Sequence, residues 1–267
     1  IGGIIGVFGW VILAQFYGWR TSLIIGGALG LVTGIILIIS ALVKPQVKTQ
    51  DERIPPGNTV NEQDKSPDTE GRISPLALRR TLFNRSLVIL GLTLLSFQAG
   101  SSIILTFVVY YLVGSMKIDL TIAGFIGSLN LIIALLFSPM FGRVYDRTKK
   151  TKNILIISGL LAAIGVCGMS VPSVYIIIPS MIISAVFLSA GFIIVYAEAK
   201  RTSSAHRLDP SYQTLAVSFV NGISLFGAFW IPVLFSFSVD HIGFSNAWIL
   251  GGLIVLIFIL PAFKFKQ

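Results

Sequence analysis

The sequence predicts an all-α membrane protein, a helical bundle of about eight transmembrane helices, on three observations. Hydrophobic residues make up 54% of the chain and charged residues 12%, about half the charged fraction of a soluble domain. The apolar residues gather in long runs, and each crossing of a bilayer needs about 20 of them. Basic residues collect in alternate loops between those runs, as they do on one side of a membrane.

Eight apolar segments follow one another: 1–16, 21–43, 87–113, 120–141, 154–171, 174–197, 212–238 and 245–263. Seven are long enough to cross a hydrocarbon core of about 30 Å with some tilt. The first begins at Ile1 without a basic flank or a small-residue cleavage site, so it reads as a helix cut by truncation and not as a signal peptide. None of the runs shows the strict alternation of a barrel strand. Turns as short as Ser170-Val171-Pro172-Ser173 fit helical hairpins, and helices satisfy their own backbone in lipid.

Residues 44–86 differ. They are rich in Asn, Gln, Asp and Glu and nearly free of large apolar residues before Leu76, a composition that cannot bury enough surface to fold alone. They read as a hydrophilic linker between two helices (1–43) and a six-helix bundle (87–263), with a short tail at 264–267. Arg79, Arg80 and Arg85 close the linker at the level of lipid headgroups.

Of the twenty Lys and Arg, eight fall in the linker, five in 142–153, three in 198–211 and two after Ala262. Only Arg20 and Lys117 lie in the intervening loops. The positive-inside rule then places the linker, both basic loops and the C-terminus in the cytoplasm, and the chain in the cell membrane. The same distribution excludes nucleic acid, which would need the cations on one folded face. Membrane lipid is the expected surrounding instead. Cys167 is the single cysteine, so no intrachain disulfide or Cys-based metal site can form. No cofactor is expected.

The most specific local pattern is Gly142-Arg143-Val144-Tyr145-Asp146-Arg147-Thr148-Lys149-Lys150. It resembles the cytoplasmic loop motif of the major facilitator superfamily. Two helices, a linker and six helices with a cytoplasmic C-terminus resemble that family after loss of its first four helices. The resemblance implies two six-helix halves built from inverted repeats, with a solute site between them at mid-membrane. It makes segments 1–16 and 21–43 helices five and six, and 87–263 a complete second half. Gly142 is expected to allow a tight turn where the chain leaves the membrane. Asp146 is expected to pair with a cation such as Arg147 or Arg201 and latch the cytoplasmic side. With Gly142, Arg143, Arg147 and Lys150 it forms the expected gate motif. The bland alternative is a solvated basic loop, whose exposed pairs are worth a few tenths of a kcal/mol.

Gly2-Gly3-Ile4-Ile5-Gly6-Val7-Phe8-Gly9-Trp10 resembles the glycine-rich helix-five motif of the family's antiporters. Val7 stands where that motif has proline, so helix packing through Gly2 and Gly6 is the better reading. Tyr17-Gly18-Trp19-Arg20 and Gly243-Phe244 with Trp248 look like matching outer turns of the two halves, with Trp in the interfacial belt.

The deep apolar cores contain no Asp, Glu, Lys, Arg or His, the groups that usually mark proton relays and charged-solute paths. A coupling ion such as the proton would need a carboxylate in the missing helices or at an edge, as Glu198 or Asp240. Otherwise the protein is a uniporter. Uncharged polar residues remain as candidates for the solute path. Gln98, Ser102 and Thr106 recur every four residues on one stripe, and Asn221 and Ser224 share a face. Asn130 stands alone among aliphatic residues. Amides in a membrane are costly unless paired, which singles out Gln98, Asn130 and Asn221. Bonding to neighbouring helices would explain them equally well. Pro139, Pro179 and Pro232 are expected flex points.

These readings point to a secondary carrier of a small neutral or amphipathic solute working by alternating access. A receptor or scaffold on the same fold is the alternative. No filter-like loop or ring of charge favours a channel. His206 and His241 alone do not make an enzyme site.

Overall fold

The computed structural model describes residues 2–42, 84–148, 151–204 and 210–265, and among the described residues the regular elements are all helices. Contacts divide the chain into two compact units, Leu13–Ile73 and Ile1–Ile12 with Ser74–Gln267. Most of the predicted linker, together with Lys149, Lys150 and His206, lies outside the described residues.

α1 (Gly2–Leu42) is broken at Gly18. Then follow α2 (Arg85–Gly114), α3 (Leu120–Thr148), α4 (Thr151–Gly168) and α5 (Val174–Ser204). α6 (Pro210–Ile259) is broken at Gly243, and a 3-10 turn, η1 (Leu260–Lys264), ends the described chain. The two breaks turn six α-helices into eight apolar rods, one for each predicted segment. Gly18 has φ 77° and ψ 158°, and Gly243 has φ 76° and ψ 167°. That region is open essentially to glycine alone. Two sequence positions matched as outer turns thus share one backbone conformation.

Local chemistry sets the other ends. The Asn84 side chain accepts from the backbone N–H groups of Ser86 and Leu87 at 3.0 and 3.3 Å, capping α2. The turn between α4 and α5 closes through Ser170 N–H to the Cys167 carbonyl and Ile177 N–H to the Ser173 carbonyl, both 2.9 Å.

Large apolar side chains lie on both the inside and the outside of the second unit. Leu90, Leu94, Phe97 and Ile103 are fully buried, whereas Tyr175 is 92% and Phe226 74% exposed. A helix apolar all round belongs in a deep core or a membrane, and these faces are not covered by protein. Five helices among the described residues are long and apolar enough to cross a bilayer. The chain is a multi-pass membrane protein.

Lipid tails are as apolar as leucine, so helices associate through close fit and hydrogen bonds. A Cβ on Gly165 of α4 would lie 2.7 Å from the Ser180 carbonyl oxygen of α5, and one on Gly252 of α6 would lie 2.9 Å from the Ala163 carbonyl oxygen. Gly191 of α5 receives the Phe97 ring of α2. Ser96 Oγ of α2 donates to the Val255 carbonyl of α6 at 2.7 Å.

Two expectations are corrected. Trp248 is not in an interfacial belt but fully buried. After the Gly243 break, Phe244 and Trp248 share a face turned toward α2. Trp248 packs on Tyr111 and Phe235 with ring centroids 5.8 and 5.0 Å apart, and Phe244 lies 5.0 Å from Tyr111. Gly142 makes no turn either. α3 continues helical through it to Thr148, and in its last turns Tyr145 is buried and donates to Glu198 of α5.

Candidate functional site

A cleft of about 240 Å³ opens between α2, α3 and α5. Its polar lining is Ser101, Asn130, Ser138 and Ser189; Leu188 and Phe192 are among its apolar walls. None of its lining residues is ionisable. Asn130 lies ten residues into α3, about 15 Å along the helix, and so near the middle of a hydrocarbon core of about 30 Å. Only 4% of the residue is exposed, and its side-chain Nδ2 has no hydrogen-bond partner. A buried donor left unmade costs about 1–3 kcal/mol. The hydroxyls around it are turned to their own helices: Ser138 donates to the Ala134 carbonyl at 2.5 Å, and Ser189 to the Val186 carbonyl at 2.8 Å. The next residue, Pro139, lacks an N–H and leaves the Leu135 carbonyl without its helical donor.

The remaining path candidates sit elsewhere. Gln98 and Ser102 of α2 are half-buried, with 3.5 Å between Gln98 Nε2 and Ser102 Oγ. Thr106, on the same stripe, is exposed. Asn221 Oδ1 of α6 accepts from Tyr196 of α5 at 2.7 Å, tying two helices together. Ser224 is buried and donates to the Asn221 carbonyl at 2.8 Å. The cleft therefore brings Asn130 together with Ser101 and Ser189. Ser138 and Phe192 were not singled out from sequence, since a serine before proline and a phenylalanine in an apolar run carry no distinguishing pattern.

A second constellation lies where α3 and α5 end and α4 begins. Glu198 is 5% exposed. Its Oε2 accepts from Tyr145 of α3 at 2.6 Å and from Thr151 of α4 at 2.8 Å, and lies 3.6 Å from Arg201 Nη1. One carboxylate thereby joins three helix ends. Of the predicted gate motif, Arg143, Asp146 and Arg147 are exposed on the last turns of α3. Asp146 forms no ion pair with Arg147 or Arg201 in this conformation; Arg201 is paired with Glu198. Among the described residues of the motif, Tyr145 is the one bonded to another helix.

A family model described as Major Facilitator Superfamily matches residues 1–197 and again residues 90–267. The chain belongs to that superfamily. Residues 90–197 fall in both matches, in keeping with a family whose halves repeat one another. Members of the major facilitator superfamily carry small solutes across membranes, and that is the general activity the match supports here. A comparison with curated proteins returned no match.

Proposed function

We propose that this major facilitator superfamily chain acts as a secondary carrier whose substrate is a small uncharged or amphipathic solute, moved by alternating access. The linker and C-terminus would face the cytoplasm. The observation that carries this reading is the unpartnered Asn130 amide in a mid-membrane cleft without ionisable lining. A site of that kind supplies the two N–H donors of an amide to a solute carbonyl, ether or hydroxyl and excludes a net charge, which would be stranded without a counter-ion. Asp146 would act as a latch in the opposite-facing state, when the helix ends have moved.

Ligand-induced stabilisation tests the reading. A solute bound at a hundred times its Kd raises unfolding stability by about 2.7 kcal/mol. Across a panel of small solutes, neutral hydrogen-bond acceptors should raise the melting temperature of the wild type, with the gain lost in Asn130→Leu. Stabilisation confined to charged solutes, or unaffected by Asn130→Leu, would contradict the proposal.

A further inference from the structure

A second cleft, about 420 Å³, lies between the start of α2 and the end of α6 with η1. Its lining is Arg85, Ile89 and Leu92 from one side and Ile257, Leu260, Pro261 and Lys264 from the other. The spacing on each side is the informative feature. On α2 the cation is followed by apolar residues four and seven positions on, which puts all three on one stripe. On α6 and η1 the cation is preceded by apolar residues four and seven positions back, again one stripe. The two stripes run from charge into hydrocarbon over about 10 Å.

Both cations sit where an apolar run ends. No charge occurs between Arg85 and Lys117, or between Asp240 and Lys264. Arg85 and Lys264 are exposed, and the described residues form no ion pair with either. Among the described residues, no carboxylate lines the cleft. Ile257 and Leu260 are 59% and 58% exposed, so the apolar walls are left uncovered by protein. The cleft thus offers two positive charges at headgroup level above an open apolar trough.

We infer that this cleft binds an anionic phospholipid, with its phosphate between Arg85 and Lys264 and an acyl chain laid along Ile89, Leu92, Ile257 and Leu260. A soluble phosphate would match the cations but leave the trough empty. A zwitterionic lipid would match the trough but gain less from the cations. The site would pin the first helix of the six-helix bundle to its last through a lipid of the leaflet that carries most of the basic loops.

Native mass spectrometry of the purified protein in detergent, with phosphatidylglycerol or phosphatidylcholine added, tests this. The wild type should retain one phosphatidylglycerol and release phosphatidylcholine. Each cation near an anionic surface contributes about fivefold to binding, so Arg85→Gln with Lys264→Gln should weaken retention about twentyfold or more. Ile257→Trp, which fills the trough at an exposed position and keeps both cations, should also abolish it. Lys264→Gln alone should weaken retention about fivefold, and this holds the test open if the double variant melts early without lipid. Equal retention of both lipids would overturn the inference, as would an Ile257→Trp protein that binds normally. Displacement by millimolar inorganic phosphate would mark an anion site without a lipid.

Discussion

Asn130 and Asn221 are the same side chain in opposite circumstances. Asn221 accepts a 2.7 Å hydrogen bond from Tyr196 on the neighbouring helix, the ordinary use of an amide between membrane helices. Asn130 is buried where Asn221 is half-buried, and its Nδ2 has no partner. An amide held in that state for binding should be a local cost to folding. Asn130→Leu is therefore expected to leave stability unchanged or raise it by about 1–2 kcal/mol, as the cost of the unmade donor is removed. Asn221→Leu should lower it by about 1 kcal/mol. Unfolding in detergent, followed by tryptophan fluorescence, compares the two; a marked loss of stability in Asn130→Leu would mean that the amide is structural.

Glu198 makes the complementary case at the helix ends. Hydrogen bonds to a charged group are worth about 1.5–3 kcal/mol, against about 0.5–1.5 for neutral pairs. Glu198→Gln should then destabilise by about 1–2 kcal/mol. Tyr145→Phe should cost a similar amount, and the double variant less than the sum, because both act on one bond. Additive losses in that cycle would separate the two residues. The sequence shows Glu198 only as a carboxylate at a membrane edge. Its partners lie 53 and 47 residues away, and no local pattern announces a pairing of that range. Asn130 was legible because an amide alone in an aliphatic run is conspicuous in itself. Whether such an amide is partnered depends on neighbouring helices, so sequence ranked it level with Gln98 and Asn221.

At the scale of elements, the apolar runs coincide with the eight helical rods, seven of them long enough to span a bilayer. They missed how far α3 continues past Phe141 to Thr148, since hydropathy carries no sign of those turns, where Tyr145 is buried and donates to Glu198 of α5. The two turns at Gly18 and Gly243 were matched through their glycine and aromatic residues, and their shared dihedrals give the match a physical content. Both glycines have open space where a Cβ would stand, so the constraint is in the backbone and not in packing. Gly243→Ala should therefore cost about 1–3 kcal/mol and lower the melting temperature without a steric clash. A neutral Gly243→Ala would show that the break relaxes freely.

For the molecule as a whole, the basic loops predict sidedness. Single cysteines in place of Asn61 and Lys152 should react with an impermeant thiol reagent from the cytoplasmic side, and one in place of Lys117 from the outside. Swapped labelling would reverse the orientation; labelling of all three from one side would change the number of crossings. Family membership rests on residues matched along the whole chain, whereas alternating access rests on the cleft and is the claim most exposed to test. Ser101 lines that cleft, and Cys167 is the chain's single cysteine, so Ser101→Cys in a Cys167→Ala background places one thiol at the proposed solute site. In sealed vesicles of each orientation, that thiol should be labelled from both sides of the membrane. Labelling from one side only, with the protein folded, would contradict alternating access and leave a receptor or scaffold on the carrier fold.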